Sequence, residues 1–345
     1  MIKELSILRV FFILFIFLGH SAFFSGGGYL GVALFFLLGG FCMTLGYADK
    51  VTAENFSYSK YLLGRFSKFY PLHWICLVAW ITIAVVSNIP LGSAPVILAN
   101  TLLLQSWVPD QSVYFSCNGI SWYLADTVFF AVVFPVLIKY IVSKSATRNI
   151  IFVSLLVAGY ATVCFVVPEE SRQAILYINP LVRLVDFVAG IYAAKAFLAI
   201  KDRHSSNDSS IWPYYVISGL CIIALIAETA ILKDSISFAW IFWPFGALLI
   251  LSSALAGSVR GEKRIPAIDT LSNLGTYTFA FYMIHQMSIQ VCNSIAHKIG
   301  FEYHFWVMLI TLILTFGASV ICHRYIEKPC GEYVRNILNS HSVQQ

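Results

Sequence analysis

Long apolar segments repeat along this chain from one end to the other. A helix needs about 20 apolar residues to cross the hydrocarbon core of a bilayer, and most of the segments have that length. Hydrophobic residues make up 59% and charged residues 11% of the 345 positions, whereas soluble domains carry about 25% charged residues. The sequence therefore predicts an all-α, polytopic membrane helical bundle, built as a single membrane-embedded domain over residues 1–345. The eleven segments are 5–24, 29–48, 69–88, 93–107, 121–143, 150–167, 175–200, 211–232, 237–257, 273–297 and 303–326.

The basic residues indicate which of these segments cross the membrane. They cluster after the second, fifth, seventh, ninth and last segments, and basic loops stay in the cytoplasm. All clusters lie on the same side only if segment 93–107 does not cross, and this segment is short and contains Pro95 and Gln105. We therefore predict about ten transmembrane helices, with 93–107 as a short re-entrant or interfacial segment and both termini in the cytoplasm.

Charge and cysteine usage exclude several other classes of protein. The net charge of +5 is spread over the loops, so the sequence offers no basic patch for nucleic acid. None of the eight cysteines forms a C-x-x-C pair, and the cysteine spacing predicts neither a disulfide framework nor a metal site.

Two ionisable residues, Arg9 and His20, lie inside the first apolar segment. Eleven residues separate them, so on a helix they share one face and lie roughly 16 Å apart along the axis. Ionisable groups inside a membrane helix are costly and are usually functional, and a histidine can accept a proton near neutral pH. The pair therefore favours chemistry inside a bilayer. The alternative is that Arg9 is an anchor at the membrane surface and His20 an interfacial residue.

Seven stretches, taken in order, resemble the membrane acyltransferase 3 family. Arg9 and His20 at their spacing look like the signature of its first helix. Each motif is weak alone, but seven in order are specific, and together they cover nearly the whole chain. The other six stretches are Gly28–Phe41 (GYLGVALFFLLGGF), Arg65–Trp74 (RFSKFYPLHW), Trp122–Pro135 (WYLADTVFFAVVFP), Arg183–Gly190 (RLVDFVAG), Leu274–His285 (LGTYTFAFYMIH) and Arg324–Pro329 (RYIEKP).

The family consists of integral membrane enzymes that transfer acetyl or other acyl groups from a coenzyme A thioester onto sugars. The resemblance therefore implies an O-acetyltransferase of the bacterial inner membrane, with acetyl-CoA as the acyl donor. It implies that the acceptor is a hydroxyl of a cell-surface polysaccharide or of its lipid-linked precursor. His20 is then the general base that removes the hydroxyl proton, and Arg9, on the same helix face, is a candidate contact for the donor.

The position of a catalytic carboxylate is ambiguous in this chain. Counting from Trp122, the glutamate that is usual in the family corresponds to Thr127, and Asp126 lies one residue earlier, about 100° round the helix. Either Asp126 takes the role through a local twist or no carboxylate is used. Asp126 and Thr127 are both candidate catalytic positions.

Three residues near the third segment are further candidates for binding the donor. Arg65 and Lys68, predicted to lie just before the helix, offer cationic groups to the phosphates of coenzyme A, although they also fit ordinary positive-inside residues. Lys68 stands where the family often has arginine, and it lacks the bidentate fork. Tyr70 precedes Pro71, which predicts an extended residue and a turn into the helix.

Three more residues, Trp122, His285 and Arg183, are candidates for contacting the substrate or supporting the catalytic groups. Arg183 and Asp186 are three residues apart on one helix, a spacing that favours a structural ion pair. His285 is deep in its segment and fits a supporting hydrogen-bond donor and a core residue equally well. Trp122 lies near a segment end and also fits an interfacial belt residue.

Two other classes of function remain open from the sequence. A secondary transporter could use four intramembrane groups along a substrate or proton pathway, although we find no inverted repeat. The four are Arg9, His20, Arg183 and Asp186. A non-catalytic membrane partner of a glycan assembly complex would explain the departure at Thr127. Replacement of His20 with alanine separates both alternatives from an enzyme.

Overall fold

A computed structural model describes residues 2–203, 210–232, 240–301 and 304–340, and every regular element within these ranges is helical. The prediction of an all-α bundle is confirmed. The helices are α1 Lys3–His20, α2 Gly27–Thr52, α3 Tyr58–Val86, α4 Ala94–Thr101, α5 Gln111–Tyr114, α6 Trp122–Ser143, α7 Ala146–Val166, α8 Pro180–Arg203, α9 Trp212–Leu232, α10 Phe242–Arg260, α11 Pro266–Leu274, α12 Thr278–Lys298, α13 His304–Cys322 and α14 Lys328–Ser340.

The length and hydropathy of these helices identify an integral membrane protein. Within the described ranges, seven helical stretches are long and apolar enough to cross a bilayer, and a bent pair around α8 makes an eighth if it counts as one span. The 18-residue helix α1 carries Lys3, Glu4 and Arg9 and is not among the seven. The count of ten stays a prediction. Segment 93–107 forms only the eight-residue α4 and a 3₁₀ turn, too short to cross.

The chain divides into two compact units. The first unit comprises Met1–Glu54 and Phe134–Thr276, and the second comprises Asn55–Val133 and Tyr277–Gln345. In the first unit, α2 packs against α1, α8 and α10, and α10 also packs against α9. In the second unit, α3 packs against α12 and α14, and α12 packs against α13.

Two glycines allow α2 and α8 to cross closely in the first unit. A Cβ added at Gly40 of α2 would meet the backbone oxygen of Phe187, and one added at Gly190 of α8 would meet the backbone oxygen of Leu37. Small residues allow helix backbones to approach closely in membrane proteins. The crossing of α2 and α8 therefore requires glycine at both positions.

A buried ion pair in the first unit joins the start of α1 to the end of α10. The Arg260 guanidinium donates to both carboxylate oxygens of Glu4, at 2.7 and 3.3 Å, and also to the backbone oxygens of Gly261 and Lys263. The Tyr215 hydroxyl donates to the same carboxylate at 3.2 Å. A buried charge is tolerated when its hydrogen bonds are filled, and here they are.

A second ion pair joins α1 to the short helix α11. Lys3 Nζ lies 2.5 Å from Asp269 Oδ1 at a partly exposed position. The hydrogen bond from Lys3 holds the pKa of the Asp269 carboxyl below its usual value. This pair is exposed to water and contributes little to stability.

The helix α3 corrects two predictions about its N-terminal half. It begins at Tyr58, eleven residues before the predicted segment, and continues through Pro71. The predicted turn at Tyr70–Pro71 is therefore wrong, and Tyr70 is helical. A proline removes one backbone donor from a helix, and membrane helices tolerate this because neighbouring groups satisfy the freed carbonyl.

Candidate active site

The predicted site residues are divided between the two units. The first unit carries Arg9, His20 and Arg183, and the second carries Arg65, Lys68, Tyr70, Trp122, Asp126, Thr127 and His285.

His20 is the last residue of α1 and is exposed. The backbones of α1 and α2 meet next to it, because a Cβ added at Gly19 would meet the backbone nitrogen of Gly28. A Cβ added at Gly28 would lie 3.9 Å from His20 Nε2. The start of α2 therefore flanks the ring.

Arg9 lies about three turns before His20 on the same helix, and it is half-buried. Its Nη2 lies 3.5 Å from the Sγ of Cys42 on α2. A thiol is a weak acceptor, so this contact leaves most of the donor capacity of the guanidinium for other groups. The shared face with His20 follows from the continuous helix Lys3–His20.

Arg183 belongs to a buried cluster in the first unit. Its Nη2 lies 2.7 Å from Asp186 Oδ2, and both side chains are almost fully buried. The guanidinium also lies over the rings of Phe36 and Tyr177, at 5.2 and 5.8 Å. Trp243 Nε1 donates to the other carboxylate oxygen of Asp186. The predicted ion pair is confirmed.

In the second unit, Asp126 and Thr127 have different surroundings on α6. Asp126 is fully buried, whereas Thr127 is half-buried and its hydroxyl donates to the backbone oxygen of Tyr123 at 2.9 Å. The hydroxyl donor of Thr127 is therefore occupied within α6. Trp122, at the first position of α6, is 4% exposed, so it packs inside the protein and is not an interfacial belt residue.

Arg65 and Lys68 lie within α3, three residues apart, and not in a loop before it as predicted. Residues at this spacing share one helix face. Lys68 is exposed and its Nζ lies 5.9 Å from the ring centre of Phe69, while Arg65 is half-buried. The Tyr70 hydroxyl donates to the backbone oxygen of Leu102 at 3.1 Å, so this donor ties α3 to the chain after α4.

His285 is fully buried in α12. Its Nδ1 lies 2.6 Å from the backbone oxygen of Tyr282, and its ring stacks on Phe281 with ring centres 6.3 Å apart. A carbonyl oxygen only accepts, so Nδ1 carries the proton and Nε2 is the acceptor of the neutral ring. Of the two interpretations of His285, its burial favours the core residue.

Sequence reasoning missed a group of buried polar side chains in the second unit. His73, Asn100, Gln105, Ser106 and Asn118 are each at most 2% exposed. The sequence did contain a signal for this group, because amide side chains lie within or after the apolar segment 93–107. A polar group is costly in such a segment and is usually functional. Among the described residues, no three or more His, Cys, Asp or Glu side chains form a group that could hold a metal ion.

The helices and their buried polar residues define a membrane protein that holds ionisable groups at a helix end and inside its core. The acyltransferase 3 family profile, described as an acyltransferase domain, matches residues 2–324. The chain belongs to this family and is a membrane O-acyltransferase.

Named relatives agree with the family. The chain is 27% identical over 331 residues to the acyltransferase MdmB of Streptomyces mycarofaciens, covering 88% of this chain and 81% of MdmB. It is 24% identical over 342 residues to the O-acetyltransferase OatA of Staphylococcus aureus, covering 93% of this chain and 56% of OatA. No solved structure matches significantly.

Proposed function

We propose that this enzyme transfers an acetyl group from acetyl-CoA to a hydroxyl of a cell-surface polysaccharide or of its lipid-linked precursor, with His20 as the general base. The observation that carries the proposal is the position of His20, which is exposed at the end of α1 beside Gly28. An imidazole at such a position can take a proton from a bound hydroxyl. The name of the relative OatA, an O-acetyltransferase, supports acetyl as the group transferred.

The proposed reaction needs one base and no covalent enzyme intermediate. The hydroxyl oxygen attacks the thioester carbonyl while the imidazole of His20 takes its proton. A C–O bond forms, the C–S bond breaks, and the imidazolium returns the proton to the coenzyme A thiolate. The products are an acetyl ester and free coenzyme A, and the imidazole is neutral again.

We propose that Asp126 supplies the catalytic carboxylate and that Thr127 takes no part in the transfer. Asp126 is buried in α6, and the Thr127 hydroxyl is bonded to its own helix. Asp126→Asn is expected to lower the rate of transfer strongly, while Thr127→Ala leaves it near wild type. A wild-type rate for Asp126→Asn would show that this carboxylate takes no part in the transfer.

We propose that Arg65 and Lys68 bind the phosphates of acetyl-CoA. Their shared face on α3 offers two cationic groups to one anion. Replacement of either residue with alanine is expected to raise the KM for acetyl-CoA about tenfold, which corresponds to about 1.4 kcal/mol. Lys60→Ala, at an exposed position on the same helix, is the matched control and should leave this KM unchanged.

The decisive experiment compares His20→Ala with His304→Ala, a histidine exposed at the start of α13. Release of free coenzyme A and acetylation of added polysaccharide are measured for both purified variants, the second by mass spectrometry. His20→Ala should lose at least about 10²-fold in rate, the usual contribution of a general base, and His304→Ala should keep the wild-type rate. A transporter would release no coenzyme A, and an unchanged His20→Ala rate would exclude this base.

We propose that the enzyme lies in the bacterial inner membrane with both termini in the cytoplasm. The basic clusters of the sequence all fall on one side in this topology, as the positive-inside rule requires. Alkaline phosphatase is active only outside the cytoplasm. A phosphatase fused after Gln345 should therefore be inactive, and an active fusion would reverse the orientation.

A further inference from the structure

A group of buried polar side chains lies in and around the chain from α4 to α6 in the second unit, and hydrogen bonds join several of its members. His73 Nε2 lies 2.8 Å from the backbone oxygen of Asn100, and Asn100 Nδ2 donates to Ser116 Oγ at 2.7 Å. Two residues further on, the backbone oxygen of Asn118 accepts from the Ser121 nitrogen at 2.8 Å. The Ser121 hydroxyl accepts from Gln105 Nε2 at 3.0 Å. We call this set of residues, together with Ser106, the amide network.

The amide groups of this network have a fixed orientation. Asn100 Nδ2 donates to the backbone oxygen of Val96, and Asn118 Nδ2 donates to the backbone oxygen of Met283, both at 2.9 Å. A backbone oxygen only accepts, so the nitrogen must lie on this side and Oδ1 on the other. For the same reason His73 Nε2 is the donor, and Nδ1 of the neutral ring is an acceptor.

Several acceptors of the amide network take no hydrogen bond from the residues that the structure describes. They are Asn100 Oδ1, Gln105 Oε1, Asn118 Oδ1 and His73 Nδ1, and the Ser106 hydroxyl also lacks a partner there. Buried polar atoms are bonded in the large majority of cases, so a cluster of exceptions requires an explanation. Asn149 in the first unit shows the usual arrangement, because its Nδ2 donates to three backbone oxygens and its Oδ1 accepts from Tyr192.

The backbone around the network is strained at two positions. Leu103 and Cys117 have φ values of 57° and 55°, in the left-handed region that favours glycine. Both residues are buried. Non-glycine residues in this region cost about 1–3 kcal/mol each, and they concentrate at ligand-binding sites. Irregular backbone at membrane depth is also found where it is buried in protein or lines a cavity.

The chemistry of the open atoms defines the ligand class. All four named nitrogen and oxygen atoms accept, and none of their side chains carries a permanent charge. Phosphate and carboxylate oxygens would face these acceptors without a proton to donate. A neutral molecule with several hydroxyl groups offers the matching O–H donors, and a carbohydrate is such a molecule.

We propose that the amide network is the subsite for the carbohydrate acceptor, with hydroxyl groups of the sugar donating to Asn100, Gln105 and Asn118. This inference rests on the proposed function for its substrate class. The acceptor atoms are closed from solvent, so the short turns between α4 and α6 part when the sugar enters. The hydrogen bonds of the sugar then satisfy atoms that the protein leaves open.

The first test separates binding of the acceptor from binding of the donor. Gln105→Met and Asn118→Leu remove the amides at nearly constant volume, and Gln111→Met, exposed on α5, is the matched control. The acceptor probe is chemically deacetylated cell-surface polysaccharide, and a parallel arm uses a lipid-linked sugar extracted from the same cells. Each network variant should raise the KM for the acceptor used in the cell about tenfold and change the KM for acetyl-CoA less than twofold. Equal increases in both KM values would make the network structural and overturn the proposal.

The second test uses the wild-type chain, so it does not depend on how the variants fold. Amide hydrogen exchange of residues 100–121 is measured in lipid nanodiscs, with and without each acceptor and without acetyl-CoA. One acceptor should slow exchange in this segment, and inorganic phosphate should not. Unchanged exchange with both acceptors overturns the inference. Because this readout needs no catalysis, it is independent of His20→Ala, whose unchanged rate would overturn the proposed base and leave the subsite standing.

Discussion

Two buried polar clusters differ in how far their hydrogen bonds are filled: the cluster of Glu4 and Arg260 in the first unit, and the amide network in the second. Glu4 and Arg260 are charged, yet their hydrogen bonds are filled by each other, by Tyr215 and by backbone oxygens. Asn100 and Asn118 are neutral, yet each keeps a buried oxygen that no described residue satisfies. A filled network stabilises one packing of the helices, whereas an open network retains the capacity to bind a ligand. Between these two clusters, the open acceptors and not the charge mark the candidate binding site.

The largest expected effect comes from breaking the buried cluster of Glu4 and Arg260, whose hydrogen bonds are filled. Glu4→Gln leaves the buried Arg260 without its countercharge, and we expect a loss of about 3–5 kcal/mol in the free energy of unfolding. Equilibrium unfolding in mixed micelles measures it, with the exposed Glu170→Gln as control. A loss of stability below about 1 kcal/mol would show that the other partners of Arg260 are sufficient to hold it. The contrast between this cluster and the amide network would then weaken.

The next effect compares two buried asparagines directly. Asn149→Leu removes a fully bonded amide, and we expect a loss of about 1–3 kcal/mol in stability because carbonyl oxygens and the Tyr192 hydroxyl lose their partner. The KM for the acceptor should stay at the wild-type value in the folded fraction. Asn118→Leu should show the reverse pattern, with a smaller loss of stability and a raised acceptor KM. If both variants raised this KM equally, the distinction between filled and open amides would fail.

A smaller effect follows from removing the donor of one hydrogen bond to Asn149, whose amide is fully bonded. Tyr192→Phe removes the hydroxyl that donates to Asn149 Oδ1, and we expect a loss of about 0.5–1.5 kcal/mol in stability. Kinetics with the deacetylated polysaccharide should be unchanged, because a single open oxygen on a filled amide does not make a carbohydrate site. A raised acceptor KM in this variant would contradict that view.

The smallest effect concerns the exposed pair of Lys3 and Asp269. The pKa of Asp269 is lowered in the folded chain by the hydrogen bond from Lys3. Its stabilisation is therefore fully present above the unfolded pKa of about 3.9 and is lost as pH falls through the lower folded value. Thermal unfolding of wild type and Asp269→Asn should differ slightly at pH 7 and converge as pH falls below that range. A difference that grows at low pH would reverse the sign of this pair.

The structure and the family match confirm the broad predictions and correct several local ones. Apolar length and basic loops predicted a helical membrane protein, because each span must satisfy its own backbone and needs about 20 residues. The start of α3 and its passage through Pro71 were predicted wrongly, because tertiary neighbours override the local preference of a proline. The spacing of Arg183 and Asp186 predicted their pairing correctly, because both lie on one helix.

The sequence by itself determined the class of fold, the ion pair within α8 and the motifs that indicate the family. These depend on hydropathy and on positions within one helix, which the order of residues fixes. Only the tertiary structure decided that Thr127 bonds to its own helix, that His285 and Trp122 are buried, and which buried amides keep open acceptors. Burial and hydrogen-bond satisfaction depend on residues far apart in the chain, such as Asn118 and Met283, and no local pattern contains that information.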